Sequence, residues 1–503
     1  KGDKVAILSA NMPNWGITQF AIANIGAIAV PILPGFCSTE LQNILEHAEV
    51  KVIFVSRLLA KCLEGVTTPF LEHKILINNF ATMPEGCYQP EDLYKLVPDI
   101  NLNNTTPLPE VSIEEEDIAS IIYTSGTTGF SKGVVLTHKN LVWDARQCRT
   151  IQPVDETYRF LSILPMAHTY ENTLGLLLPL MFGAQVYYLD RVPTPKLLVP
   201  AMQKIRPTVV LSVPLIIEKI YKSQVLPKFT SSKLMSKLYQ FAPARKLFNR
   251  LAGKKLMETF GGELKFFGIG GSKLDGTVEQ FLREAKFPYA IGYGLTETAP
   301  MAAGSNPSQT FLQGVGPVME GVQIKINNPD KSGQGEIWIK GPNVMKGYYK
   351  RPELTAETFT EDGWFKTGDL GSFDKKNRLA IRGRIKTMIL GASGENIYPE
   401  EIESIINNFR FVNESLVVEN SGKLVAMVHF NMEELEKQYQ KLKDQAGNNK
   451  EKINDYIEEQ KQELRDYVNA RVNNFSKLQL VLVQHEPFEK TPTHKIKRFL
   501  YCK

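Results

Sequence analysis

Ile118-Ala-Ser-Ile-Ile-Tyr123 runs straight into Thr124-Ser-Gly-Thr-Thr-Gly-Phe-Ser-Lys-Gly133. The first six residues are a short apolar run and read as a buried strand. Gly126, Gly129 and Gly133 let backbone N–H groups approach an anion closely. Thr124, Ser125, Thr127, Thr128 and Lys132 add hydroxyl donors and a positive charge. A strand that delivers such a loop is a phosphate cradle. The spacing is not that of a Walker A loop, which needs G-x-x-x-x-G-K-[ST]. A plain flexible turn would not need this composition over so long a stretch behind a buried strand.

Outward from this loop the chain keeps one rhythm. Residues 5–9 and 27–33 read as buried strands around a helix that begins near Trp15, and strands follow at 51–55 and 74–77. Strands alternating with helices predict a mostly parallel sheet covered by helices. Residues 80–117, rich in Pro, Asn and Glu, read as a surface connection, and 155–215 repeat the strand–helix pattern. Residues 216–258 read as helix broken at Pro227 and Pro243, and 264–300 as two short strands each ending in glycines. From 314 to 382 closely spaced turn residues predict a β-rich part. The last stretch reads as a separate unit, with a helix at 400–409, a hairpin at 414–429 and a charged helix over 450–474. Residues 433–449 are polar and read as peripheral.

The fold class expected is therefore α/β: a large N-terminal domain of parallel-sheet α/β subdomains plus a β-rich subdomain, then a small α+β C-terminal domain. The boundary is set at 384, giving domains 1–384 and 385–503.

The 503 residues are 43% hydrophobic and 22% charged, which excludes a disordered chain and a small disulfide scaffold. Residues 5–39 carry no charge, but Asn11, Asn14, Gln19, Asn24 and three prolines interrupt the apolar run, against a spanning helix. Cysteines at 37, 62, 87, 148 and 502 form no C-x-x-C pair and read as free thiols of a reducing compartment. Lys1 is not a natural start and no signal peptide is visible, so the chain is expected to begin inside a longer protein. The net charge of +5 is too mild to imply nucleic acid. It is unevenly spread: residues 219–255 hold ten Lys or Arg and no acid, so the remainder carries −5.

The phosphate loop resembles the signature loop of adenylate-forming enzymes, which include acyl-CoA synthetases, luciferases and peptide-synthetase adenylation domains. The family's other motifs follow in order. They are Gly292-Tyr-Gly-Leu-Thr-Glu-Thr298, residues 335–349, Trp364-Phe-Lys-Thr-Gly-Asp-Leu370, Gly383-Arg-Ile-Lys386, Gly394-Glu-Asn-Ile-Tyr-Pro-Glu-Glu-Ile-Glu403 and Thr491-Pro-Thr-His-Lys-Ile-Lys497.

The resemblance implies roles. Thr124, Ser125, Gly126, Thr127, Thr128, Gly129 and Lys132 would bind the phosphates of ATP. Gly270, Gly271, Ser272, Gly292, Tyr293 and Gly294 would receive the adenine and the acyl carbonyl. Thr296 is a phosphate donor and Glu297 the magnesium ligand, with Thr124 a second candidate for Mg²⁺. A nucleotide-bound Mg²⁺ usually takes one or two carboxylates beside phosphate oxygens. Asp369 would accept from both ribose hydroxyls, with Arg384 beside it. Lys495 is the mobile catalytic lysine, which would stabilise charge gathering on the α-phosphate as a carboxylate attacks. His168, Thr169, Gly268 and Gly292 fall at the acyl site, Lys386 at the hinge, and Gly391, Ser393 and Gly394 in the loop toward the CoA thiol.

The implied reaction has two halves. A carboxylate attacks MgATP to give acyl-adenylate and pyrophosphate, and a thiol then displaces AMP. Val213-Pro-Leu-Ile-Ile-Glu-Lys-Ile-Tyr221, the basic insertion and residues 253–271 resemble long-chain fatty acyl-CoA synthetases most closely. The expected ligands are a fatty acid, ATP, Mg²⁺ and coenzyme A. Other readings are a fatty acyl-AMP ligase serving an acyl carrier protein, a synthetase for medium-chain or aryl acids, and a non-catalytic lipid-binding relative. Residues 219–255, basic and interleaved with Leu, Phe, Tyr and Met, suit peripheral contact with an anionic membrane. The expected location is cytoplasmic, at the inner face of a membrane, and the expected assembly is a homodimer.

Overall fold

The computed structural model describes residues 1–36, 38–98, 107, 110–124, 131–191, 193–230, 232–390, 396–420, 422–446, 453–491 and 495–502. The uncharged opening stretch is core. Lys4–Leu8 and Ile28–Ile32 are parallel strands in register, Lys4 opposite Ile28, and the helix Pro13–Asn24 covers them. The helix starts on a proline, whose missing N–H costs nothing at a first turn. Trp15 is fully buried. Among the described residues no helix is long and apolar enough to cross a membrane.

These strands belong to a seven-stranded sheet. It runs Gly347–Tyr348, Lys132–Thr137, Ile118–Thr124, Ile28–Ile32, Lys4–Leu8, Val50–Val55 and His73–Leu76. The last five strands are parallel, and the first two are added antiparallel. A second sheet has six strands: Met301–Gly304, Tyr289–Gly294, Phe266–Ile269, Val209–Ser212, Arg159–Ser162 and Gln185–Tyr188. Only Met301–Gly304 is antiparallel to its neighbour. Phe260, Phe267 and Phe287 meet edge to face at 5.4–5.5 Å behind it. A four-stranded sheet follows over Gln323–Asn327, Gly335–Lys340, Phe365–Phe373 and Leu379–Arg384. These sheets bear out the α/β expectation with a β-rich part behind it.

The basic stretch is helical, but Pro227 does not break it. Pro214–Ile220, the widened π turn Tyr221–Val225 and Leu226–Thr230 run on continuously. The wide turn just ahead relieves the clash a proline ring makes with an α-helical carbonyl. Pro243 instead sits in the first turn of Ala242–Thr259. That helix packs through Gly253, where a Cβ would lie 2.5 Å from the Ala285 carbonyl oxygen.

The chain divides into two compact units. One comprises Lys1–Lys325, Trp338–Thr367 and Phe373–Ala380; the other Ile326–Ile337, Gly368–Ser372 and Ile381–Lys503. In the smaller unit Val412–Asn420 and Lys423–Phe430 form an antiparallel hairpin, and Leu480–Val483 joins Lys423–Phe430 in parallel. Helices Pro399–Ile406 and Ile453–Asn469 bury Ile406, Leu464 and Val468 against this sheet. The reading of 433–449 as peripheral is corrected. Met432–Ala446 is a helix, Leu435 is fully buried in the core, and Tyr439 packs on Tyr456 at 5.8 Å. Sparse apolar positions in a polar stretch hide a helix that needs only one narrow face. Residues 447–449 lie outside the described residues.

Candidate active site

The phosphate loop is held at both ends by a hairpin. Ile118–Thr124 pairs antiparallel with Lys132–Thr137, and Thr124 faces Lys132 across the ladder. Ser125, Gly126, Thr127, Thr128 and Gly129 lie outside the described residues. Below the loop the Tyr123 hydroxyl is 2.7 Å from His47 Nδ1. Burial pushes the Tyr123 phenol up and the His47 imidazole down, so the pair is a neutral hydrogen bond. A Cβ on Gly133 would lie 2.8 Å from Ile121 Cγ2, so the strand leaving the loop closes only with glycine there.

The second motif is a tight bend. Tyr289–Gly294 turns through Thr296–Thr298 into the antiparallel strand Met301–Gly304. Gly294 permits it: a Cβ there would sit 1.7 Å from the Pro300 carbonyl oxygen. Thr298 is fully buried; its hydroxyl accepts from Leu295 N–H at 2.9 Å and donates to the Pro300 carbonyl at 2.5 Å. Fully buried Asn343 donates from Nδ2 to the carbonyls of Thr298 and Met301, 3.1 and 2.5 Å away. Thr173 donates to the Ala299 carbonyl at 2.9 Å. Met301 N–H reaches Asp144 Oδ2 at 3.3 Å, and burial drives the Asp144 carboxyl well above its ordinary range.

On this bend Glu297 is half-buried. Its backbone carbonyl accepts from Met345 N–H at 2.8 Å. Its Oε1 accepts from the Tyr348 hydroxyl at 2.9 Å. The Lys132 ammonium lies 5.0 Å from the centre of the Tyr348 ring. Burial, then the Glu297 charge, raises the Tyr348 phenol, so it stays protonated and donating. Thr296 stands half-buried beside Glu297, and Tyr293 is 9% exposed.

The strand Phe266–Ile269 ends beside this one, Gly268 opposite Ala290. A Cβ on Gly268 would lie 2.8 Å from the Tyr170 hydroxyl, and one on Gly270 3.3 Å from the Tyr170 ring. Gly271 follows with φ +85° and turns the chain at Ser272. Gly292 has Met301 against it, 3.0 Å from where a Cβ would be. His168 is a helix cap: its Nδ1 accepts from Tyr170 N–H at 3.2 Å. Thr169 is fully buried, and its hydroxyl has no hydrogen-bond partner among the described residues.

The smaller unit carries the remaining candidates. Arg384 Nε is 2.9 Å from Asp369 Oδ1, on neighbouring strands of the four-stranded sheet. Lys386 is exposed in the turn that follows, where Thr387 and Met388 N–H groups bond back to the Arg384 carbonyl. Lys495 is exposed at a tight turn, its N–H on Thr491 Oγ1 at 3.2 Å and its carbonyl accepting from Thr491 N–H at 2.8 Å. Close by, the Arg498 guanidinium pairs with Glu403 and clamps the segment. Gly391, Ser393 and Gly394 lie outside the described residues.

Residues 1–349 match the family model described as AMP-binding enzyme. The chain belongs to the AMP-binding enzymes. A curated relative of this AMP-binding enzyme is the peroxisomal long chain acyl-CoA synthetase 6 of Arabidopsis thaliana. The two are 30% identical over 85% of this chain and 64% of that protein. Another is the long-chain-fatty-acid–CoA ligase FadD15 of Mycobacterium bovis, 30% identical over 83% of this chain and 71% of that one. The chain thus spans about two thirds of the length of these relatives. Among solved structures, o-succinylbenzoate coenzyme A synthetase (MenE) from Bacillus subtilis, in complex with ATP and magnesium ion, superposes with TM-score 0.73. Identity is 22%, over 99% of this chain and 89% of that one.

The donor set of this AMP-binding enzyme fits nucleotide and magnesium. Lys132 and Glu297 supply one cation and one carboxylate at one aromatic ring. Among the described residues no cluster of three or more His, Cys, Asp or Glu could cage a metal. One or two carboxylates beside phosphate oxygens are the usual ligands of a nucleotide-bound Mg²⁺. Tyr348, Asn343 and Tyr170 escape a reading by sequence. The first two lie inside the recognised stretch 335–349, and nothing in their spacing signals the bend they hold. Tyr170 sits two residues past His168, and only the small residues at 268 and 270 hint at a ring beside them.

Proposed function

We propose that this chain activates long-chain fatty acids with ATP and passes the acyl group to coenzyme A. The observation that carries the reading is the meeting of Lys132 and Glu297, from separate motifs, at Tyr348. The names of the curated relatives support a long-chain acid. Residues 1–384 form the adenylation domain and 385–503 the mobile C-terminal domain.

The phosphates lie along residues 124–129, with Lys132 as cation. Thr296 donates to the α-phosphate. Glu297, with Thr124 beside the phosphates, holds Mg²⁺, which supplies charge neutralisation when bound. Adenine and the acyl carbonyl lie along Gly268, Gly270, Gly271, Ser272, Gly292, Tyr293 and Gly294, with His168 and Thr169 by the acyl chain. Asp369 and Arg384 take the ribose. The fatty carboxylate oxygen attacks the α-phosphorus and the bond to pyrophosphate breaks. Lys495 bears on the oxygens that gather charge, so positioning and electrostatics do most of this step. The CoA thiol sulfur then attacks the acyl carbon and AMP leaves. Lys386 is the hinge between the steps, and Gly391, Ser393 and Gly394 line the thiol's approach.

Contact with an anionic membrane face belongs to the same proposal. Lys219, Lys237, Lys246, Arg250 and Lys254 are exposed on the helical insertion. Between them Leu234, Leu238, Phe241, Leu247 and Leu251 are 39–69% exposed. Apolar side chains flanked by cations suit insertion at a headgroup boundary.

The test is release of AMP and pyrophosphate with palmitate, MgATP and CoA, beside acetate and benzoate. The proposal expects palmitate turnover that needs CoA. Pyrophosphate exchange without CoA-dependent AMP release would move the acceptor to a carrier protein. Turnover of a small acid alone would overturn the long-chain assignment.

A further inference from the structure

The geometry points to Tyr348 as the positioning residue that aims the Glu297 carboxylate at a divalent cation. The inference rests on the reading of Glu297 as the magnesium ligand. One short segment, Gly341-Pro-Asn-Val-Met-Lys-Gly-Tyr348, holds both ends of that residue. Met345 N–H binds its backbone carbonyl and the Tyr348 hydroxyl binds its carboxylate. The same segment pins the rest of the bend through Asn343. Among the described residues Oε1 is the carboxylate oxygen engaged, by Tyr348 alone.

A hydrogen bond from behind fixes which way a ligating carboxylate faces, and its loss typically costs tenfold or more in metal affinity. Burial of the phenol matters as well, because Tyr348 is 9% exposed and water does not readily replace its hydroxyl. The ring has a second task. It receives the Lys132 ammonium on its π system while its hydroxyl receives the carboxylate. Cation and anion thereby both meet one side chain.

Tyr348→Phe keeps the ring and removes only the hydroxyl. Calorimetric titration of Mg²⁺ into the ATP-saturated full chain reads metal affinity, and the Mg²⁺ dependence of palmitate-driven pyrophosphate exchange reads the same property in turnover. The expected result is an apparent Mg²⁺ affinity about tenfold weaker. Binding of metal-free ATP and the melting temperature stay at wild-type values, and saturating Mg²⁺ restores most of the exchange. Glu297→Gln in the same titration loses at least as much, and Lys132→Met weakens ATP binding far more than Mg²⁺ binding. An unchanged Mg²⁺ requirement in Tyr348→Phe overturns the inference, as does a lowered exchange rate that excess Mg²⁺ does not restore. Mg²⁺ affinity of the wild type that survives Glu297→Gln would overturn the underlying assignment of the ligand, a result distinct from a wild-type response in Tyr348→Phe.

Discussion

Glu171 is 1% exposed, in the helical turn that follows His168, and its Oε2 is buried with no hydrogen-bond partner among the described residues. Burial pushes its carboxyl from 4.5 up to about 8, against a hydrogen bond from Ser162 that pulls the other way. The folded protein therefore keeps this proton at neutral pH while the unfolded chain releases it. Stability is highest below the unfolded value of 4.5 and is lost progressively as pH rises toward about 8, by at most about 5 kcal/mol. Glu171→Gln should remove that loss. Thermal melts at pH 5 and pH 8 should show the variant close to wild type in acid and several degrees more stable at the alkaline end. A wild-type slope that persists in the variant would refute the assignment. Lys495 gives a second prediction at this scale. Its exposed amine belongs to adenylate formation in the reading above, so Lys495→Ala should lose pyrophosphate exchange by a hundredfold or more, about 3 kcal/mol of electrostatic stabilisation. Thioester formation from supplied acyl-adenylate should be largely spared. Equal loss of both half-reactions would remove Lys495 from the first step alone.

The bend from Gly294 to Met301 is a structural element in its own right, assembled by hydrogen bonds from distant parts of the chain. Asn343, Thr173 and Asp144 reach it from a loop and two helices. Asn343→Ala strands two buried carbonyls, each costing about 1–3 kcal/mol. The expected result is a lowered melting temperature together with weaker MgATP binding, read by calorimetry. Gly294→Ala should be harsher, because a Cβ at 1.7 Å from the Pro300 oxygen forces the backbone apart. None of this was legible in the motif itself. Gly292-Tyr-Gly-Leu-Thr-Glu-Thr298 reads as a ligand-binding loop from its glycines and its carboxylate. What holds it depends on Asn343 and Asp144, whose positions along the chain carry no local period or spacing. The helix Met432–Ala446 was missed for a related reason. Leu435 packs on the core from a polar stretch that has no apolar face broad enough to read.

At the scale of the whole molecule the charge is divided. The segment 219–255 carries +10 within a chain of net +5, and most of its cations are exposed. Near an anionic leaflet each such cation contributes about 1 kcal/mol, screened over a Debye length of about 8 Å at physiological salt. The full chain should therefore sediment with phosphatidylserine-containing vesicles, and 0.5 M salt should release much of it. Lys237→Glu with Lys246→Glu and Arg250→Glu should weaken binding at least tenfold. Phe241→Ser with Leu251→Ser should weaken it while leaving the salt dependence in place. Equal binding of wild type and the charge variant to the phosphatidylserine vesicles, or wild-type binding as strong to neutral vesicles as to anionic ones, would remove the electrostatic account.

The sequence alone determined the fold class and the family, because the signals for both are local. Apolar runs that end in glycines mark buried strands, and the motifs that carry the family resemblance are contiguous stretches of sequence. The same locality made the hairpin of Val412–Asn420 and Lys423–Phe430 readable before any packing was known. Tertiary structure alone decided how Tyr348 comes to hold Glu297, how Tyr170 comes to lie against Gly268, and why Glu171 keeps its proton. Each of these depends on which surfaces the sheets and helices bring together, and on how much water that packing excludes. Spacing along the chain encodes neither.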